Sequence, residues 1–301
     1  MSETALCGIL IVHKHAGVTS NDIVQKLRRL YGTRQVGHTG TLDPMATGVL
    51  PVLIGRAVKA SDFIIAENKR YTAEMTLGLE TDTEDITGQV LNRCTDIPAE
   101  ADVLAACASF VGDILQTPPM YSALKVDGKK LVDLAREGIT VERQARPITV
   151  SALDAQRLSE DTYRLDVRCS KGTYIRTLCA DIGKKLGCGA VMSALIRTES
   201  GPFSLAEAYT VAELEAMNDA ERSEKLLPLE TYFADAPAVH LPEFYARLAR
   251  NGCEIYQKKI HTSFAEGTLL RLYRGEEFFA LGRVGDYPDG SAVKAVKIFS
   301  L

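Results

Sequence analysis

The chain has 301 residues, of which 46% are hydrophobic and 25% are charged, a composition typical of a globular protein with one large and one small domain, or two medium ones. The formal net charge of −4 excludes a uniformly basic nucleic-acid-binding protein, but it does not exclude a local basic surface. No segment approaches the ~20 consecutive apolar residues of a transmembrane helix, and the N-terminus lacks the basic leader of a signal peptide.

The seven cysteines are scattered and never spaced as CxxC. An odd number of cysteines in this arrangement is typical of reduced core thiols, so we expect a cytoplasmic protein without structural disulfides. His38 has no cysteine or second histidine at ligand spacing. We therefore expect no metal site.

Charge is unevenly distributed along the chain. From Lys14 to Arg70, nine Lys and Arg stand against four Asp and Glu, whereas one Arg stands against nine acids from Tyr71 to Leu115. A polyanionic substrate would be drawn to the first segment. A solvated surface with scattered charge accounts for the same counts.

The first predicted elements are a strand and a helix. Residues 8–14 are typical of a short buried strand. The turn and N-cap at 17–20 precede apolar residues at helical spacing, which predict a helix to about Tyr31.

The next segment, GHTGTLDPMATGVLP over 37–51, contains three glycines and two prolines and predicts a tight, irregular loop. Pro44 disfavours the helical conformation at Asp43, so the loop presents a single carboxylate, and a strand is predicted at 49–54. A polar loop on a rigid scaffold is a common place for catalysis. An ordinary Asp-Pro turn is the alternative, and the Lys of a Walker phosphate-binding loop is missing.

A helix is predicted at 57–69 and a strand at 70–79, where alternation places Tyr71 on the buried face. Tyr71 is either a core residue or a ring on which a planar ligand stacks. The acidic turn at 80–87 does not fit the spacing of a calcium loop. A strand near 88–94 and a helix near 99–110 follow.

Regular structure is interrupted at 116–122, and a basic segment follows. A short helix over 129–137 lies between Gly128 and Gly138. This excursion is either a mobile flap that clasps a phosphate backbone or a solvated hairpin. Its basic residues are Lys125, Lys129, Lys130, Arg136, Arg143 and Arg146.

Strands are predicted near 147–157 and 161–170, and a helix begins at Thr173. Arg176 falls in its first turn, where the helix dipole disfavours a cation. A buried carboxylate would offset this, and Asp43 is the candidate; alternatively Arg176 faces water. A strand near 190–198 and a helix near 210–217 come next.

Three prolines at 228, 237 and 242 mark a linker. After it, a short helix over 243–251 and several short strands predict a small β-rich module.

These elements carry six segments that closely resemble the TruB family, the bacterial-type tRNA pseudouridine-55 synthases. They cover about residues 8–235 in the family order. The chain departs from the family pattern at His13, His15 and Val132. The segments are HAGVTS (15–20), GHTGTLDPMATGVLPVLIG (37–55), RYTAEMTLGLETDTEDITG (70–88), QTPPMYSALKVDGKKLVDLAREG (116–138), CSKGTYIRTLCADIG (169–183) and LIRTESGPF (195–203).

The resemblance implies an α+β pseudouridine synthase fold, with a central mixed, mostly antiparallel sheet flanked by helices and loops. It implies a catalytic domain over 1–235 with a thumb insertion at about 120–146. Residues 236–301 would form a small β-rich, PUA-like RNA-binding domain.

It also implies a reaction without cofactor or metal, in which a uridine of the tRNA T-loop, at position 55, is flipped out and isomerised to pseudouridine. Asp43 would act on the sugar, as a nucleophile at C1′ or as a base at C2′. Arg176 would pair with Asp43 and keep it ionised, Tyr71 would stack beneath the base, and Tyr174 would take part in removing the C5 proton.

On the substrate side, the resemblance implies that His38 fills the place left by the base, that Leu195 lines the pocket and that Lys14 holds a phosphate. Gly40 and Thr41 are expected to belong to the same substrate site. The expected partner is the tRNA T-arm, with no membrane, no obligate protein partner and a monomeric state. The alternative is an RNA-binding or RNA-folding protein without catalysis.

Overall fold

The computed structural model describes residues 6–65 and 68–300. The predictions made for the N-terminal leader and for residues 66 and 67 therefore lie outside the described residues. In the first part of the chain the strands are β1 (Cys7–Lys14), β2 (Val36–His38), β3 (Thr47–Gly55), β4 (Lys69–Leu77), β5 (Leu79–Thr81), β6 (Val90–Arg93), β7 (Gly112–Gln116), β8 (Lys125–Val126), β9 (Lys129–Lys130), β10 (Arg146–Arg157), β11 (Thr162–Cys169), β12 (Ala190–Ser200), β13 (Phe203–Ser204) and β14 (Tyr209–Thr210). The helices are α1 (Ser20–Leu30), α2 (Ser61–Ile65), α3 (Glu100–Ala108), α4 (Leu131–Arg136), α5 (Ile175–Leu186), α6 (Val211–Ala216), α7 (Asp219–Glu224) and α8 (Leu229–Tyr232).

A large sheet organises this part of the chain. In the described residues it has ten strands in the order β14-β1-β3-β12-β4-β11-β10-β7, with β2 paired to β3 and β13 paired to β12. The pairs β1–β14 and β3–β12 are parallel and the others are antiparallel, which confirms the predicted mixed, mostly antiparallel sheet. Strand β12, which carries Leu195, lies between β3 and β4. Strand β3 follows the Asp43 loop, and β4 carries Tyr71.

Helix α1 starts where the sequence predicts, and α5 starts at Ile175, two residues after the predicted start at Thr173. Thr19 and Asp22 form a reciprocal capping box at the N-terminus of α1, which satisfies two backbone donors there. Helix α5 ends at Gly187 in the left-handed conformation. A Cβ at Gly183 would lie 2.1 Å from the Ala190 nitrogen, so this glycine lets α5 pack closely on β12.

The predicted helix over 57–69 is correct over 57–65 and wrong at its C-terminal end, and residues 66 and 67 are not described. The chain forms a 3₁₀ turn at Arg56–Ala60 and the five-residue helix α2, and β4 already begins at Lys69. Lys69 pairs with Cys169 on one side and Ser200 on the other. Pairing with two neighbouring strands outweighs the local helix propensity at this position.

The basic excursion lies between β7 and β10, as predicted, and contains the hairpin β8–β9 and helix α4. The α4 helix is shorter than the predicted 129–137 segment. The Val132 nitrogen donates to the Ser122 carbonyl at 3.0 Å, which closes the excursion onto its own base.

The C-terminal part forms a second sheet in the order β15-β17-β18-β19-β16. This confirms the predicted β-rich module, whereas the boundary at 235 and 236 stays a prediction. Helix α7, which precedes the proline-marked segment, and helix α8, which lies within it, were not predicted. The elements are β15 (Ala238–His240), α9 (Glu243–Arg250), β16 (Ile255–Tyr256), β17 (Leu269–Arg274), β18 (Glu277–Tyr287) and β19 (Gly290–Ile298).

Candidate active site

The loop that carries Asp43 joins β2 to β3 and is hydrogen-bonded to Ser20, the first residue of α1. The Leu42 nitrogen donates to the Ser20 hydroxyl at 2.9 Å, and that hydroxyl lies 3.2 Å from the Leu42 carbonyl. The Ala46 nitrogen donates to the Asp43 carbonyl at 3.0 Å, which closes a turn around Pro44. These hydrogen bonds fix the conformation of the loop. The Asp43 side chain nevertheless remains about one third exposed (32%).

Arg176 pairs with Asp43 through two separate contacts. Its Nε lies 2.8 Å from Asp43 Oδ2, and its Nη2 lies 3.2 Å from Asp43 Oδ1. The predicted pairing is confirmed, even though 133 positions separate the two residues. A two-contact guanidinium–carboxylate pair fixes the orientation of the carboxylate as well as its charge.

The remaining donors of Arg176 are also used. Nη1 donates to the Thr83 carbonyl at 3.0 Å, and Nη2 donates to the Tyr121 carbonyl at 2.8 Å. Asp85 lies 3.9 Å from Nη1 and is almost fully buried. This carboxylate in turn accepts from the Thr87 nitrogen at 2.9 Å. The guanidinium is thus held on several sides.

Sequence reasoning rejected the acidic turn as a calcium loop and singled out no residue in it. The structure places that turn directly against Arg176, where Asp85 supplies a second carboxylate. The excess of acids after Tyr71 was the available signal, but the count could not show which acid faces the arginine.

Opposing effects act on the carboxyl of Asp43. Burial raises its pKa above the ordinary value, the Arg176 guanidinium opposes this rise, and the Asp85 carboxylate adds to it. As expected, Arg176 favours the charged form of Asp43, but desolvation raises the Asp43 pKa by more than Arg176 lowers it.

Tyr71 and Leu195 line the apolar side of the site. Tyr71 is buried on β4 and lies opposite Arg197 of β12. Leu195 lies opposite Ala73 in the same strand pair. Both belong to one apolar cluster with Leu42 of the Asp43 loop. The loop, the tyrosine and the leucine therefore share one apolar core.

Tyr174 is the N-cap residue of α5. It lies near enough to the Asp43–Arg176 pair that both charges affect the pKa of its hydroxyl. Burial raises the pKa of Tyr174, so its hydroxyl keeps its proton at neutral pH. Its main chain is held by Gln116, whose side-chain amide donates to the Tyr174 carbonyl at 3.0 Å and accepts from the Tyr174 nitrogen at 2.8 Å. Sequence reasoning did not single out Gln116.

His38 ends β2 and is half-buried. Among the described residues, its buried Nδ1 has no hydrogen-bond partner. Burial lowers the pKa of His38, and the nearby charge of Arg197 lowers it further. The imidazole is therefore neutral at physiological pH, which suits a ring that enters a base stack.

The phosphate-binding role expected for Lys14 is wrong. The residue is fully buried (0%), and its ammonium donates to the carbonyls of His15 at 3.0 Å, Pro44 at 3.2 Å and Ala46 at 2.6 Å. An ammonium has three donors, so none is left for a phosphate. Burial lowers the pKa of Lys14 to about 8, against the attraction of Asp43. Lys14 holds the Asp43 loop from beneath.

Gly40 and Thr41 differ in their surroundings. The Gly40 carbonyl accepts from Arg197 Nη2 at 3.1 Å, and its φ of +109° lies in the region that favours glycine. The Thr41 side chain is exposed and could reach a ligand.

Within residues 6–65 and 68–300, no group of three or more His, Cys, Asp or Glu side chains is arranged to hold a metal ion. Over the same residues, no helix has both the length and the apolar character needed to cross a membrane.

Two family models match the chain. The model of the TruB family pseudouridylate synthase N-terminal domain matches residues 28–175, and the model of the tRNA pseudouridylate synthase B C-terminal domain matches residues 176–234.

Similar curated proteins include the tRNA pseudouridine synthase B of Alkaliphilus oremlandii, 43% identical over 279 residues, covering 92% of this chain and 93% of the relative. The protein of the same name from Halalkalibacterium halodurans is 47% identical over 284 residues, covering 89% and 93%.

Among solved structures, a Cbf5-Nop10-Gar1 complex matches with a TM-score of 0.71 and 25% identity, over 97% of this chain and 85% of that chain. An H/ACA RNP bound to a substrate RNA matches with a TM-score of 0.70 and 22% identity, over 98% and 85%, which shows a shared fold.

Proposed function

Because the chain belongs to the TruB family of pseudouridylate synthases, we propose that the uridine it isomerises is the one at position 55, in the T-loop of tRNA. Family membership makes it a tRNA pseudouridine synthase, which converts a uridine of tRNA to pseudouridine. The choice of position rests on the six segments that resemble the position-55 synthases. The predicted monomeric state and cytoplasmic location stay predictions.

Asp43 is the catalytic carboxylate of this proposal. The observation that carries it is the two-contact pair with Arg176, which orients a carboxylate that is still open to a ligand. Asp43 attacks C1′ or removes the C2′ proton. In either route the N1–C1′ bond breaks, the base turns, and C5 bonds to C1′.

The surrounding residues serve a base that has left its stack. Tyr71 and Leu195 offer an apolar floor, since both lie in the cluster beneath the Asp43 loop. The neutral ring of His38 takes the place of the base in the RNA. Tyr174 lies close to the ionic pair and takes part in the loss of the C5 proton as a neutral hydrogen-bonding phenol, because burial keeps its hydroxyl protonated.

The thumb insertion binds the RNA backbone. Five of its basic side chains are exposed, which supports contact with phosphates of the T-arm. Arg143 is the exception, because it is half-buried and its Nη1 donates to the Pro118 carbonyl at 3.0 Å. The exposed side chains are Lys125, Lys129, Lys130, Arg136 and Arg146.

The test uses unmodified tRNA, with pseudouridine mapped at nucleotide resolution. The wild-type protein should modify position 55, and Asp43→Asn should bind the tRNA and yield no product. Asp154→Asn, which removes an exposed carboxylate on β10, is the matched control and should stay active.

Each contrary result has its own meaning. Product formed by Asp43→Asn would remove Asp43 from its role. Modification at another uridine would overturn the position. Binding without product by the wild-type protein would favour the non-catalytic alternative.

A further inference from the structure

Arg197 is a buried arginine beside the site that sequence reasoning did not single out. It lies on β12, is 1% exposed, and is among the largest fully buried side chains. Its Nε donates to the Val49 carbonyl at 2.7 Å and its Nη2 donates to the Gly40 carbonyl at 3.1 Å. These two carbonyls belong to residues that follow and precede Asp43 in the chain.

The backbone of Arg197 is also tied to this loop. A Cβ at Gly48 would lie 2.2 Å from the Arg197 carbonyl oxygen, so only glycine allows the two strands to approach so closely. Arg197 also lies opposite Tyr71 in the β4–β12 pair, and its charge lowers the pKa of the Tyr71 hydroxyl against the effect of burial. Arg197 therefore binds the loop and lies beside Tyr71, the proposed platform for the base.

The charge of Arg197 has no carboxylate partner. Among the described residues, none of the ion pairs within 4.0 Å includes Arg197, whereas Arg176 has two. A buried cation without a counter-ion is costly, and carbonyl dipoles offset only part of that cost. The effect reaches its neighbours, because Arg197 lowers the pKa of both His38 and Lys14.

We propose that Arg197 is a positioning residue that holds Tyr71 and the Asp43 loop, and whose unpaired charge stabilises the negative charge that develops on the departing base. The inference rests on the proposed function, since it takes the base to lie against Tyr71.

The chemistry does not depend on how Asp43 acts. If Asp43 attacks C1′, the electron pair of the N1–C1′ bond passes to N1 and the carboxylate bonds to C1′. If Asp43 instead removes the C2′ proton, the C–H electrons form a C1′–C2′ double bond and the N1–C1′ pair again passes to N1. Both routes release the base as an anion, and a fixed positive charge in a dry site favours that anion.

A carboxylate beside Arg197 would cancel this field. The structure instead gives the site's carboxylates to Arg176, so that one guanidinium serves Asp43 and the other remains available to the base. This division explains why a buried arginine here is satisfied by carbonyls alone.

The test compares tRNA that carries uridine or 5-fluorouridine at the target position, in single-turnover reactions that follow consumption of that nucleoside. Fluorine stabilises the base anion, so this substrate needs less help from the protein. We expect Arg197→Gln to slow the uridine reaction by about 10². The fold-loss of rate on 5-fluorouridine should be smaller than the fold-loss on uridine by a factor of roughly three or more.

The matched control is Arg222→Gln. Arg222 is also buried and donates to a main-chain carbonyl, that of Leu214 at 3.2 Å, but it has an ion pair with Asp219. This variant should slow both substrates equally, if at all. An equal loss on both substrates in Arg197→Gln would overturn the electrostatic role and leave only a structural one.

Arg197→Lys covers the case in which the glutamine variant does not fold. A buried lysine has a lowered pKa, so raising the pH neutralises it. The ratio of the 5-fluorouridine rate to the uridine rate should therefore rise with pH in this variant and not in the wild-type protein. A ratio independent of pH, with the lysine shown to titrate, would contradict the proposal.

A readout that needs no activity separates this inference from the proposed function. The pKa of His38, followed by NMR in the free protein, should rise in Arg197→Gln because burial alone then lowers it. It should be unchanged in Arg222→Gln. An unchanged His38 pKa in both variants would show that Arg197 places no effective charge at the site, whatever the activity assays find.

Discussion

At the scale of single residues, the pairing of the buried charged side chains sets the protonation state of the site. Asp43 is desolvated enough that its pKa is raised, and Arg176 limits that rise. A carboxylate that acts as a nucleophile or base must be ionised, so the enzyme should lose activity as the pH falls through this raised pKa.

The first prediction concerns this acid limb. In the wild-type protein it should lie above the ordinary aspartate pKa of 3.8, because the folded-state value is raised. Arg176→Met removes the group that favours the ionised form, so the limb should move up by about 1–3 pH units. The measurement is the pH dependence of the single-turnover rate.

Arg168→Met, which removes an exposed arginine on β11, is the control and should leave the limb in place. An acid limb that does not move in Arg176→Met would mean that a group other than Asp43 sets it.

Lys14 shows how a buried charge can be mistaken for a ligand-binding one. Its ammonium donates to three carbonyls around the Asp43 loop and is closed to solvent. Its effect on catalysis should therefore come through the loop and not through the RNA.

The second prediction separates these roles by salt dependence. Lys14→Met should lower the reaction rate, since it leaves buried loop carbonyls unpaired, but it should not change the slope of log Kd for tRNA against log salt concentration. Lys130→Ala, which removes an exposed thumb lysine, should reduce the magnitude of that slope by about 0.7–0.9. A slope of reduced magnitude in Lys14→Met would instead support a contact between Lys14 and a phosphate of the RNA.

At the scale of elements, the start of α5 is where distant segments meet. Tyr174 and Arg176 come from one helix end, and Gln116 holds the Tyr174 main chain from β7, the edge strand of the sheet. Gln116 is 2% exposed, so its hydrogen bonds cannot be replaced by water without rearrangement.

The third prediction removes this link. Gln116→Ala leaves the Tyr174 nitrogen and carbonyl unpaired and should lower the free energy of unfolding by about 1–3 kcal/mol. It should also slow the single-turnover rate with little change in tRNA affinity, because the helix end shifts without loss of a thumb contact. Urea unfolding and rapid-quench kinetics measure the two effects.

Gln156→Ala, an exposed glutamine on β10, provides the comparison and should alter neither quantity measurably. If the Gln116 variant loses stability but keeps its rate, the link stabilises the fold without positioning Tyr174 for catalysis.

At the scale of the whole molecule, the C-terminal sheet shares a core with the catalytic part. Phe299 and Leu281 pack in one apolar cluster with Ile9, Leu53 and Phe233. Polar contacts accompany this core, since Lys59 Nζ donates to the Ile298 carbonyl at 2.8 Å. The apolar contact should dominate, because exposed polar contacts contribute little.

The fourth prediction is that the two parts unfold together. Phe299→Ala should lower the free energy of unfolding by about 3–5 kcal/mol. The loss should appear in both sheets when hydrogen exchange is followed through the transition. Phe244→Ala, which truncates a 56% exposed ring on α9, should change stability by no more than about 0.5 kcal/mol. Two separate transitions, with only the C-terminal one shifted, would show that the parts are independent.

Sequence alone determined the Asp43 loop, the buried face of Tyr71 and the position of Arg176 in the first turn of α5, because these depend on glycine and proline geometry and on local periodicity. The same reasoning placed the end of the 57–69 helix wrongly, because the pairing of Lys69 with two strands overrides local propensity there.

Only the tertiary structure decided which charges are paired and which are not. Lys14 was expected to bind a phosphate and instead lies beneath the loop. Asp85, in the turn that was rejected as a calcium loop, faces Arg176. Arg197 was not singled out, although it binds the loop and lies opposite Tyr71. The direction and burial of a long side chain depend on strands far apart in sequence. The same lysine or arginine can therefore face solvent or be buried, and no local pattern distinguishes the two.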